Sequence, residues 1–78
     1  MRDNVVVITG ASKGIGAELA LQLARLGAQL MLAARDSAAL EAVAADCRKL
    51  GATVAAVATD VADEGDCRRL IEQTVTRF

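Results

Sequence analysis

Val5-Val6-Val7-Ile8-Thr9-Gly10-Ala11-Ser12-Lys13-Gly14-Ile15-Gly16 is the stretch on which the reading of this chain turns. A continuous β-branched run ends in glycine and gives way to residues spaced for a helix. Such a run suits a strand covered on both faces, as in a parallel sheet. Gly10 closes the strand in a tight turn, Gly14 lets the backbone come close to a pyrophosphate, and Gly16 permits close packing of helix on strand. A helix beginning near Ile15 aims its unpaired N–H groups and positive dipole end at the same point. The spacing is GxxxGxG rather than GxGxxG. It is not a P-loop, because Lys13 is not followed by Ser or Thr and the fifth residue after Gly10 is Ile15. The plain alternative is a glycine turn without a ligand.

Outward from this stretch the chain alternates. Ile15, Leu19, Leu23 and Leu26 fall on one helical face that Gly27 ends, and Gln29–Ala34 is a second short apolar run. Arg35-Asp36-Ser37 leads into Leu40, Val43, Ala44, Cys47 and Leu50, ended by Gly51. Thr53–Thr59 reads as a third strand, and Asp63 as the N-cap of a last helix carrying Cys67, Leu70, Ile71, Thr74 and Phe78 on one face. The order is βαβαβα, which predicts parallel strands in the order 3-2-1 and an α/β fold that is half of a doubly wound, Rossmann-type domain. Leu19, Leu23, Val43, Leu50 and Leu70 are expected in the core. The last helix is expected on the sheet face left bare by the first two, with strand one an uncovered edge.

The chain has 78 residues, 54% hydrophobic and 24% charged, with no proline. That is too short for two domains and too apolar for a disordered tail, so residues 1–78 read as the N-terminal part of a single, larger domain. A formal net charge of -1 without a basic run argues against nucleic acid or a membrane surface as partner. No apolar run is long enough to span a membrane, and Met1-Arg2-Asp3-Asn4 does not read as the start of a signal peptide, so a cytoplasmic location is expected. Cys47 and Cys67 stand 20 positions apart with no CxxC pair and no histidine, which leaves no metal site and predicts reduced, packed thiols. His, Tyr and Trp are absent, removing most side chains that do acid/base work at neutral pH.

Thr9-Gly10-Ala11-Ser12-Lys13-Gly14-Ile15-Gly16 behind its strand resembles the cofactor-binding signature of the short-chain dehydrogenase/reductase family. The resemblance implies that Gly10, Ser12, Lys13, Gly14, Ile15 and Gly16 shape the phosphate site of a nicotinamide dinucleotide, and that Asp60 and Val61 hold adenine. It further implies that Arg35, closing strand two, meets the adenosine 2′-phosphate, so that NADP is preferred to NAD. Asp36 stands 20 positions after Gly16, where a simple count would put an acid for the ribose hydroxyls of NAD. It follows Arg35 and sits where a helix N-cap belongs, and the cap is the favoured reading. By resemblance the complete protein transfers hydride between NADPH and a carbonyl or alcohol substrate and forms a homo-oligomer. The family's catalytic Tyr with a Lys four residues on, its Ser and its later Asn have no counterpart here, so no catalytic residue is assigned. The rival reading is a non-catalytic nucleotide-binding module, or one that completes its sheet with another chain.

Overall fold

The computed structural model describes residues 5–78; the expectation about Met1–Asn4 lies outside them. Its elements are β1 (Val5–Thr9), α1 (Gly14–Arg25), β2 (Gln29–Ala34), α2 (Ser37–Lys49), β3 (Val54–Ala58) and α3 (Glu64–Arg77). The strands form one parallel sheet in the order β1-β2-β3, with Val7 opposite Met31 and Ala33 opposite Val57.

β2 shows why its sequence is a continuous apolar run. Side chains alternate across a sheet, so Leu30, Leu32 and Ala34 enter one core with Ala20 and Ala24 of α1 and Leu40, Ala44 and Cys47 of α2. Met31 and Ala33 enter a second core on the opposite face, with Ala55, Leu70 of α3 and the partly buried Val57 and Phe78. Two helices therefore cover one face and the third covers the other. From Leu30 to Ala33 the central strand meets no water on either side.

Three sequence expectations about the helices need correction. On α1 the buried residues are Ala20 and Ala24 and Leu23 is half-buried against the same core, as expected of it, whereas Ile15, Leu19 and the C-cap Leu26 are 90%, 46% and 61% exposed. Adjacent helical residues are turned by about 100° from one another, so the leucine stripe lies roughly a quarter-turn from the alanine stripe. The alanines face the sheet because a helix packed this closely has no room for leucine there. On α2, Leu40, Ala44 and Cys47 are buried and Val43 is half-buried, but Leu50 follows the last turn and is exposed. On α3 only Leu70 is buried; Ile71 faces outward, while Cys67, Thr74 and Phe78 are half-buried.

Asp36 and Asp63 act as N-caps, as read. Asp36 Oδ1 accepts from the Ala39 N–H at 3.1 Å, and Asp63 Oδ1 from the Asp66 N–H at 3.1 Å. Among the described residues no helix is long and apolar enough to cross a membrane, and no group of His, Cys, Asp and Glu could hold a metal.

Burial pushes the Cys47 thiol above its ordinary value of 9.0, with the neighbouring Asp46 carboxylate adding to the rise and Arg48 opposing it. The folded chain thus resists ionising this thiol after the unfolded chain has lost its proton. The stability from the neutral thiol is complete below the ordinary thiol pKa and is lost as pH rises through the higher folded one. Denaturant unfolding of the wild type should weaken between pH 8 and pH 10 more steeply than that of Cys47→Ala; equal slopes would remove Cys47 from the alkaline transition.

Candidate functional site

The carboxyl ends of all three strands meet at one place. Gly10 follows β1, Ala34, Arg35 and Asp36 close β2, and Thr59 and Val61 follow β3; with Ser12 and Lys13 they line a cleft of about 310 Å³. Open α/β sheets bind ligands in the crevice beyond these ends. A smaller cleft of about 220 Å³ adjoins it, lined by Arg35, Ala58, Thr59, Asp60 and Asp66. Arg35 borders both.

The glycine turn is built for two purposes. Gly10 and Gly14 have φ of +64° and +62°, the left-handed region, and a Cβ on either would meet no protein atom within 4 Å. The backbone there is bare toward space the protein leaves open. Gly16 is different, because a Cβ on it would lie 2.2 Å from the Gly10 carbonyl oxygen. Its hydrogen lets α1 come down on the turn, and the Ala11 N–H, donating to the Ala33 carbonyl at 3.1 Å, ties that turn to β2.

The start of α1 is unlike the other two. Its N-cap, Lys13, makes no side-chain cap hydrogen bond, whereas Asp36 and Asp63 cap α2 and α3, and the first bond within the helix runs from the Ala17 N–H to the Lys13 carbonyl at 3.4 Å. The Gly14, Ile15 and Gly16 N–H groups precede that bond and carry the partial positive charge of a helix N-terminus. Lys13 and Arg35 are exposed, and neither takes part in an ion pair among the described residues. Asp36 also lines the cleft, with one carboxylate oxygen, Oδ1, turned onto the Ala39 N–H. The donors present, uncapped backbone N–H groups and two cations around an open glycine turn, suit a phosphate-bearing ligand.

At the β3 end the chain makes a hydrogen-bonded loop. The Ala62 N–H donates to Asp60 Oδ1 at 3.0 Å, and the Asp63 N–H to the Asp60 carbonyl at 3.0 Å. Val61 stands 58% exposed at the cleft. Thr59, buried, donates its N–H to the Ala34 carbonyl at 2.8 Å and its hydroxyl to the Val57 carbonyl at 3.0 Å.

The family model described as short chain dehydrogenase matches residues 4–78. The chain belongs to this family. It is 51% identical over 79 residues to an 11-beta-hydroxysteroid dehydrogenase-like 4A of Arabidopsis thaliana, covering 100% of this chain and 26% of that protein. A short chain dehydrogenase/reductase of Burkholderia phymatum, solved in complex with NAD, superposes with a TM-score of 0.90 at 37% identity, covering 94% of this chain and 26% of that one. An alcohol dehydrogenase of the archaeon Thermococcus sibiricus, complexed with 5-hydroxy-NADP, superposes at 0.92 with 37% identity over 96% of this chain and 32% of its own. The chain thus spans about a quarter of the length of the curated relative, and corresponds to the N-terminal part of a short-chain dehydrogenase/reductase.

Of the residues singled out by sequence, Gly10, Ser12, Lys13, Arg35 and Val61 line the larger cleft and Asp60 the smaller. Gly14, Ile15 and Gly16 form the turn and helix start beside them, with Ile15 exposed. Two residues went unremarked in the sequence. Thr59 lines both clefts, and Asp66 accepts the Asp60 N–H on Oδ2 at 2.9 Å. Thr59 reads as the end of a strand and Asp66 as an ordinary first-turn acid, so only the path of the loop exposes their roles.

Proposed function

We propose that this chain is the dinucleotide-binding part of an NADP(H)-dependent oxidoreductase whose complete protein reduces a carbonyl or oxidises the corresponding alcohol. Bound cofactor supplies the hydride. Gly10, Ser12, Gly14, Ile15 and Gly16 shape the diphosphate site, with the backbone N–H groups at the start of α1 facing the phosphate charge. Lys13 and Arg35 meet the 2′-phosphate, and Asp60 and Val61 hold adenine. Asp60 Oδ1 is occupied by Ala62, which leaves Oδ2 for the ligand. Catalytic groups come from outside these residues, since the sequence contains no tyrosine and no histidine.

The observation that carries this reading is the meeting of Lys13 and Arg35 at one cleft in which the single carboxylate, Asp36, is turned onto its own helix N-terminus. An acid aimed into the cleft would favour ribose hydroxyls, whereas one turned onto its own helix N-terminus, beside two cations that form no ion pair among the described residues, favours a phosphate. The comparison structures carry NAD in one case and an NADP derivative in the other, so the preference rests on this arrangement. In the complete protein NADPH should bind more tightly than NADH by about 1.4 to 2.8 kcal/mol, ten- to hundredfold. Arg35→Ala should remove most of that margin while NADH affinity stays within about twofold. Equal loss of both cofactors would reduce Arg35 to a surface charge.

A further inference from the structure

The loop that follows β3 is internally braced, yet its bonds to the rest of the fold are few. The Ala62 and Asp63 N–H groups both return to Asp60, which makes Asp60–Asp63 a unit without fixing where that unit sits. The Asp63 cap ties one end of the unit to α3, through the Asp66 N–H on Asp63 Oδ1 at 3.1 Å and the Cys67 N–H on the Asp63 carbonyl at 3.0 Å, and two further bonds from the first turn of α3 reach the other end, Asp60 and Val61. Asp66 Oδ2 accepts the Asp60 N–H at 2.9 Å, and the Cys67 thiol donates to the Val61 carbonyl at 3.3 Å. They grip the Asp60-Val61 pair from both ends. Arg69 pairs with the other oxygen of the Asp66 carboxylate, which holds it in the rotamer that reaches the loop. The Asp66 side chain is only 24% exposed, and it lines the smaller cleft together with Arg35 and Asp60.

We infer that Asp66 is a positioning residue for adenine: its carboxylate, by holding the Asp60 amide, sets where Asp60 and Val61 stand at the edge of the cleft. This rests on the reading of the cleft as a dinucleotide site. Asp66 touches no part of the ligand; it acts through the loop. A first-turn acid serving only the helix dipole would need no bond to Asp60 and would leave adenine affinity untouched. Because the amide needs an acceptor and not a charge, asparagine should serve in its place. Glutamate, with the charge kept and the acceptor moved by one methylene, should not.

The test uses the complete protein, titrated by calorimetry with 2′,5′-ADP, and with reduced nicotinamide mononucleotide as a probe that lacks adenosine. Asp66→Ala should weaken 2′,5′-ADP about tenfold, Asp66→Asn should restore affinity to within about twofold of wild type, and Asp66→Glu should fall nearer to Ala than to Asn. The mononucleotide should bind all four proteins alike. Unchanged 2′,5′-ADP affinity in Asp66→Ala, or a loss in Asp66→Asn as large as in Ala, overturns the inference. If Asp66→Ala does not fold, the Asn and Glu variants decide: glutamate matching the wild type while asparagine fails shows that charge, not the amide bond, is what Asp66 supplies. A wild type that binds 5′-AMP but not 2′,5′-ADP strikes only the preference for NADP, and the same series is then read with 5′-AMP. A wild type that binds neither defeats the dinucleotide reading, and the inference with it.

Discussion

Gly16→Ala should both destabilise the fold and abolish tight dinucleotide binding. The added methyl would lie 2.2 Å from the Gly10 carbonyl oxygen and 2.9 Å from its carbon, and both are backbone atoms that no rotamer change can move. Either α1 lifts off the turn, opening the packing of Ala20 and Ala24, or Gly10 leaves the conformation at φ +64° that shapes the cleft. Overpacking of this kind costs about 3 kcal/mol. A chain of this size has a total stability of only about 4 to 12 kcal/mol. Dinucleotide affinity should fall about a hundredfold or more, because the turn and the N–H groups behind it move together. Gly65→Ala on α3 is the control. Its methyl would meet only Asp63 Oδ1, at 3.1 Å, and its effect on stability should stay under about 1 kcal/mol. Calorimetric melting of the two variants, with cofactor titration of each, checks the contrast; a Gly16→Ala protein that melts and binds like the wild type would show that the helix does not rest on the turn as described.

Ala34→Asp should move the cofactor preference strongly toward NADH, erasing most or all of the margin for NADPH. Ala34 ends β2 at the rim of the cleft beside Arg35, and its carbonyl is held by the Thr59 N–H, so the backbone there is anchored and the new side chain has a defined place. A carboxylate about 5 Å from a phosphate charge is repelled by about 3 kcal/mol per pair at an effective dielectric near 20. Solvent at the open rim reduces this, and a net penalty of about 2 kcal/mol, roughly thirtyfold in NADPH affinity, is expected. NADH carries no such phosphate and offers ribose hydroxyls to the acid, so its affinity should hold or improve. Ala34 is only 7% exposed, so the variant should also melt at a lower temperature. The cofactor shift is read from the ratio of the two affinities, which a loss of stability shared by both leaves unchanged. A ratio equal to that of the wild type would place the 2′-phosphate away from β2.

Which parts of this architecture the sequence makes legible follows from which forces are local. The run Leu30–Ala34 is apolar at every position because both faces of β2 are buried, and no nearby alternative competes with that reading. Asp36 and Asp63 announce their helices because a cap bonds within three residues of itself. The buried face of α1 is less legible. Hydropathy ranks Leu19 and Leu26 above Ala20 and Ala24, but the distance between helix and sheet selects the small side chains, and that distance is set partly by Gly16 meeting Gly10, residues that carry no hydropathy signal at all. Among the site residues, Gly10, Arg35 and Asp60 are legible because each follows a strand in a sequence of alternating elements, and Lys13 because it lies in the glycine turn just before α1. Asp66 is not, since its bond to Asp60 depends on how the intervening loop folds back on α3.

The most direct test of the account is a crystal structure of the complete protein grown with NADPH. The 2′-phosphate should lie within hydrogen-bonding distance of Arg35 and Lys13, the diphosphate against the N–H groups of Gly14 to Gly16, and adenine against Val61. An adenosine half bound away from Arg35 and Val61, or a diphosphate clear of the start of α1, would contradict it.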